Sequence, residues 1–350
     1  MRILCIGNIE GWMEIHLRQM LAGFERRGCV TAVADYNRMG RRFGFLKSSE
    51  AGEFELRQRR LEKICAAFQP DLILFAISRM KFDFPRLRSY YPGRICVWDY
   101  DGPNWKCYEQ KEWLHSIDLL LTVSRPVARE LTGSGFRAVY LPHGVDCDYY
   151  SPGTPSPAEM RKFGAEVSYV GRATARRARF CRAIADRKPA LYGRRWRKLP
   201  ECRDSILAEC VRTRSDVIGR DIVTIYRASR CMINILQDPL CDYHTILSLQ
   251  LFAIPATGTP LVAEEVEELA DAFEPGRETV PGRSQQQQKA APGVAGDHDQ
   301  RLPELVNRIR VDANAFSFEN QLLANFGFAL LQQLETAFRD CLHLQLHIEI

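Results

Sequence analysis

Asp242-Tyr-His-Thr-Ile-Leu-Ser-Leu-Gln-Leu-Phe-Ala-Ile-Pro-Ala-Thr-Gly-Thr-Pro-Leu-Val-Ala263 decides how this chain is read. A polar tetrad from Asp242 to Thr245 leads into a short apolar helix. The helix stops at Thr257-Gly258-Thr259-Pro260, and the strand Leu261-Val262-Ala263 follows. A helix start then faces a sheet edge, where phosphates often bind. His244 and Thr245 are candidate donors toward a sugar or phosphate, and the backbone N–H groups of Thr257 and Gly258 are candidates for anionic oxygen.

Outward from this block, short apolar runs alternate with helix-like segments, the pattern of a parallel sheet with crossover helices. The first half gives strands at Ile3–Ile6, Val30–Ala34, Leu72–Phe75, Ile95–Trp98, Leu119–Val123 and Ala138–Leu141. Helices are expected over Glu14–Arg27, Glu53–Phe68 and Pro126–Thr132. A second set follows at Val167–Val170, Ala190–Tyr192, Cys231–Ile235 and Leu261–Val262. The proline-rich Tyr150–Pro157 stretch reads as the linker. The expected division is a first Rossmann-like domain over 1–150, a second over 151–280, a low-complexity loop over 281–301 and C-terminal helices over 302–350. The final alternating segment, Leu342–Ile350, has no evident place in either domain.

The composition fits this α/β reading. With 350 residues and a 46% hydrophobic fraction, the chain can bury two ordinary cores. A net charge of +5, distributed over short arginine clusters without interleaved aromatics, gives no case for a nucleic-acid partner. Twelve cysteines lack any C-x-x-C pair and several sit in apolar runs, so buried reduced thiols are expected, and no metal. The N-terminus enters a strand at once and no apolar run is long enough to span a bilayer, so the cytoplasm is the expected compartment.

Two turns in the first half have residue types suited to chemistry. Gly7-Asn-Ile-Glu-Gly-Trp12 joins a strand to a helix but does not match G-x-G-x-x-G, so it is either a tight turn or a ligand loop. Asp99 and Asp101 close another strand in Trp98-Asp-Tyr-Asp-Gly-Pro103, where an acid could serve as general base and where Asp-Gly-Pro also makes an ordinary turn.

Taken with Tyr169-Val-Gly-Arg172, Leu191-Tyr-Gly-Arg-Arg-Trp196 and Leu141-Pro-His-Gly-Val-Asp146, the Asp242 block resembles GT-B glycosyltransferases, particularly the spore-maturation CgeB-like group. The resemblance spans roughly residues 1–280. It implies two Rossmann-like domains facing across a cleft and a metal-independent transfer of sugar from a UDP-, GDP- or ADP-sugar to an acceptor hydroxyl, with no cofactor. It implies donor contacts from Gly171, Arg172, Tyr192, Trp196, His244, Thr245, Thr257 and Gly258, with Arg176 and Arg177 as supports for the diphosphate. Gly11, Trp12 and His143 fall on the acceptor side, and the acidic turn raises Asp99 and Asp101 as bases. The relatives carry arginine where this chain has Gln250 and glutamate where it has Ala253. A carboxylate there would grip ribose hydroxyls, so the alternative is a weakened or inactive GT-B module that only binds. On the enzyme reading, Gln250→Arg with Ala253→Glu raises donor affinity or turnover.

Overall fold

A computed structural model describes residues 1–9, 12–40, 49–76, 82–100, 112–203, 206–236, 247–264, 268–273 and 280–282. The described residues divide into two compact units, the first ending at His143 and the second starting at Gly144.

The first unit is built on six strands, Arg2–Gly7 (β1), Val30–Asp35 (β2), Leu72–Ala76 (β3), Arg94–Asp99 (β4), Leu119–Thr122 (β5) and Ala138–Tyr140 (β6). They pair in parallel in the order β2-β1-β3-β4-β5-β6. Strands covered on both faces read as unbroken apolar runs, and Leu-Ile-Leu-Phe-Ala in β3 is buried throughout. Ile3, Cys5, Leu74 and Trp98 feed the core on one face of the sheet, while Leu4, Ile6, Ile73 and Phe75 feed the other.

Helix boundaries follow local chemistry. Ser49 caps Glu50–Phe68 by accepting from the Gly52 N–H at 3.2 Å. Asp83 does the same for Phe84–Tyr90, accepting from Arg86 at 2.9 Å. After β6 the chain turns through Pro142 and His143. Asp146 then accepts from the Asp148 N–H at 2.9 Å, holding the next turn.

The second unit has five parallel strands, Ala165–Val170 (β7), Ala190–Tyr192 (β8), Ser229–Asn234 (β9), Leu261–Glu264 (β10) and Val280–Gly282 (β11), in the order β11-β10-β9-β7-β8. Pro157–Phe163 is a helix that starts at the last proline of the expected linker. Ser156 and Glu159 form a reciprocal capping box and Pro157 occupies the first turn, where its missing N–H costs nothing.

All strands of a parallel sheet end on one edge. Helices on the return path start near that edge and finish at the opposite one. The helix Gln250–Ala256 connects β9 to β10 in this way, and this decides which residues of the Asp242 block can reach a ligand.

Candidate functional site

The strand order of the second sheet reverses between β7 and β9: the chain leaves β7 toward β8 on one side and β9 toward β10 on the other. Ligands of open α/β sheets bind at such a switch point, outside the carboxyl ends of the strands. The ends that meet here are Val170-Gly171-Arg172 after β7, Gly193 after β8, Asn234-Ile235-Leu236 after β9, and Glu264 closing β10.

Two glycines let the first turns close. The Gly171 N–H donates to Tyr192 O at 2.9 Å, and Trp196 Nε1 donates to Gly171 O at 3.1 Å. Gly193 adopts φ +126°, and a Cβ there would sit 2.3 Å from the Gly171 carbonyl oxygen, so a side chain at this position collides with backbone. The closed turn leaves Arg172 exposed at the sheet edge.

Arg176 and Arg177, expected to support a diphosphate, are spent inside the protein. Arg177 is 8% exposed and donates from Nε and Nη2 to Ile235 O at 3.0 and 2.8 Å, and from Nη1 to Arg172 O at 2.9 Å. It is a strut that holds the β7 and β9 ends together. Arg176 grips the Glu264 carboxylate with both terminal nitrogens, Nη1 reaching Oε2 at 2.9 Å, and Glu264 Oε2 also accepts the Leu236 N–H at 2.7 Å. Glu264 therefore ends a strand and pairs across 88 positions.

Gln250 occupies the switch point itself. Its Nε2 donates to Val170 O at 2.7 Å and its Oε1 accepts from Asn234 Nδ2 at 2.9 Å. Asn234 donates in addition to Ser248 Oγ at 3.0 Å. Ala253, one turn on, is 1% exposed within the core of the unit.

The remaining donor-side expectations divide. Tyr192 is buried with its hydroxyl donating to Phe163 O at 3.3 Å, and Trp196 is buried edge-on to Tyr169, so both shape the turn from below and neither offers a ring face to a base. Thr257 and Gly258 lie at the wrong end. They cap the C-terminus of Gln250–Ala256, at the opposite end of β10 from Glu264, and their N–H groups are taken by Ile254 O at 3.0 Å and Pro255 O at 2.8 Å. Gly258 serves the cap through φ +77°. His244 and Thr245 lie outside the described residues.

On the first sheet, Gly7 ends β1 against β3, a Cβ there lying 3.1 Å from Ala76 O, and Trp12 opens the following helix. Gly11 and Asp101 lie outside the described residues. Asp99 is fully buried and accepts from Thr122 Oγ1 at 3.3 Å, a setting that ties β4 to β5 and withholds the carboxylate from an outside hydroxyl. His143 is half-buried, its ring edge-on to Trp98 with centroids 6.0 Å apart. Burial pushes its imidazole down to about 4, against an opposing hydrogen bond to the Tyr100 backbone. Beside it, His16 is pushed down to about 3 by burial and by His143. Sequence reading missed His16 because it sits at helical spacing among Leu17 and Met20 on an apolar face.

Among the described residues no three His, Cys, Asp or Glu side chains gather as a metal-binding group, and no helix is long and apolar enough to cross a membrane.

A family model described as glycosyl transferase-like matches residues 176–315. No curated protein sequence matches the chain. Among solved structures, the sucrose-phosphate synthase of Thermosynechococcus elongatus aligns at a TM-score of 0.64 and 14% identity, covering 97% of this chain and 98% of that one. A glycosyltransferase from Rickettsia africae ESF-5 aligns at 0.57 and 12% identity, covering 97% and 98%. The UDP-GlcNAc 2-epimerase of Methanocaldococcus jannaschii aligns at 0.56 and 8% identity, covering 96% and 100%. Likeness at these identities is likeness of fold, and the fold is GT-B.

Proposed function

We propose that this chain is a glycosyltransferase that moves a sugar from a UDP-, GDP- or ADP-sugar to an acceptor hydroxyl without a bound metal. The observation that carries this reading is Arg172. It is the arginine of the 172, 176 and 177 set that faces solvent at the sheet edge, directly after the glycine turn and next to the switch point. The glycosyl transferase-like match over residues 176–315 supports the same chemistry.

In such a transfer the bond from the anomeric carbon to the diphosphate oxygen breaks as the acceptor oxygen bonds to that carbon. The acceptor proton passes to a base, and negative charge grows on the departing nucleoside diphosphate. Arg172 answers that charge with a planar, permanently charged donor.

Isothermal titration of the full chain with UDP, GDP and ADP tests the proposal. Saturable binding of at least one is expected, together with turnover of the matching nucleotide sugar. Absence of binding to all three would overturn it.

A further inference from the structure

Charge is placed unevenly along this chain. Residues 172–214 hold fourteen Lys and Arg against four Asp and Glu, a net charge of +10, whereas the whole chain carries +5. The other 307 residues are therefore net negative, and the short arginine clusters amount to one strongly basic segment.

Folding brings two stretches of that segment together. The helix Ala175–Ala183 buries Arg177, Ala178 and Cys181 and leaves Arg179 and Arg182 exposed one turn apart. Arg182 Nη2 donates to the Glu201 carbonyl, which seats the turn from Trp196 to Arg203 beside that helix. Arg197, Lys198 and Arg203 project from the turn into solvent. Ile206, three positions after Arg203, is 46% exposed.

Five exposed cations in one segment repel one another unless anions balance them. Among the described residues the ion pairs of this segment involve Arg176, Arg187 and Arg194, and none of the five. The aromatic ring of the turn, Trp196, is buried, so the turn presents no platform on which single-stranded bases could stack. Clustered Lys and Arg beside an aliphatic side chain suit an anionic bilayer, where headgroups neutralise the cations and the apolar group sinks to the acyl boundary.

We propose that this segment of the second unit docks on an anionic lipid surface, with Arg179, Arg182, Arg197, Lys198 and Arg203 against the headgroups and Ile206 inserted among them. The attachment is peripheral and is independent of Arg172.

Co-sedimentation of the full chain with vesicles tests this, comparing pure phosphatidylcholine with an equimolar mixture of phosphatidylcholine and phosphatidylglycerol. Partitioning at low salt is expected to be at least ~10-fold stronger on the mixture and to fall as salt is raised. The triple variant Arg197→Glu, Lys198→Glu, Arg203→Glu should lose that preference while retaining the wild-type melting temperature and nucleoside diphosphate binding. Ile206→Ser should weaken partitioning several-fold, and Arg161→Glu, exposed on a different helix, should leave it unchanged. Equal partitioning on both vesicles, none on either, a folded triple variant that still binds, or tighter binding to an RNA oligonucleotide than to the anionic vesicles would overturn the proposal.

Discussion

Gln250 joins the carboxyl ends of β7 and β9, donating to Val170 O at 2.7 Å and accepting from Asn234 Nδ2 at 2.9 Å. Its half-buried amide is matched at both ends. Gln250→Ala removes the donor to Val170 and the acceptor of one Asn234 N–H, and should cost about 1–3 kcal/mol in chemical denaturation. The resemblance to GT-B relatives leads one to expect that Gln250→Arg with Ala253→Glu raises donor affinity or turnover. The packing predicts otherwise, because a carboxylate at the 1%-exposed Ala253 enters the core. We expect Ala253→Glu to lower stability by about 3 kcal/mol or more. An unchanged denaturation midpoint would show that this helix opens to admit the charge.

Glu264 should be as sensitive to the chemistry of its replacement. Glu264→Ala takes the carboxylate from Arg176, which keeps its bond to Leu236 O at 3.3 Å, and leaves the Leu236 N–H without its acceptor, in a pair whose side chains are 16% and 6% exposed. Breaking such a pair from one side costs about 3–5 kcal/mol. Glu264→Gln keeps one oxygen, which can still accept from the Leu236 N–H and from one Arg176 nitrogen, and should lose less. Equal losses for Ala and Gln in thermal unfolding would mean that the negative charge of Glu264, and not its size or its bond to the Leu236 N–H, holds β9 to β10.

The strands were legible because a parallel sheet covered on both faces demands unbroken apolar runs such as Leu72–Ala76. The site was legible only in part. Thr257 and Gly258 have the right residue types for an anion cradle, but composition is blind to direction, and only the parallel pairing of β9 with β10 places them at the far edge. Arg172, Arg176 and Arg177 look alike in sequence; partners at Ile235, Leu236 and Glu264, about 60 to 90 positions away, separate the exposed one from the two that brace the sheet. Long-range pairing of this kind leaves no local pattern to read.

The two histidines of the first unit predict an acid limb in stability. Their folded values, about 3 for His16 and about 4 for His143, lie below the ordinary value near 6.5. Above that ordinary value both folded and unfolded chains hold them neutral. As pH falls from about 6.5 toward 4 the unfolded chain takes up protons that the folded one refuses, so stability declines by up to about 1.4 kcal/mol per pH unit for each. His143→Asn should flatten the decline when melting temperature is followed from pH 7 to pH 4.5. The same slope in variant and wild type would show that His143 is already protonated in the folded chain.

Arg172 and Arg177 should fail in opposite ways. Arg172 is exposed at the switch point, so Arg172→Ala should leave the melting temperature unchanged and weaken nucleoside diphosphate binding by about 10- to 100-fold, the equivalent of losing one charge-assisted contact. Arg177 donates three hydrogen bonds to the carbonyls of Ile235 and Arg172. Arg177→Ala leaves those acceptors buried without their donor and should destabilise the second unit by about 2–4 kcal/mol. Any loss of binding in Arg177→Ala should then be recovered when temperature is lowered enough to refold it, whereas the loss in Arg172→Ala should persist at every temperature. Titration calorimetry and thermal unfolding on both variants separate these outcomes, and a stable Arg177→Ala protein that cannot bind nucleotide would move the diphosphate contact from Arg172 to Arg177.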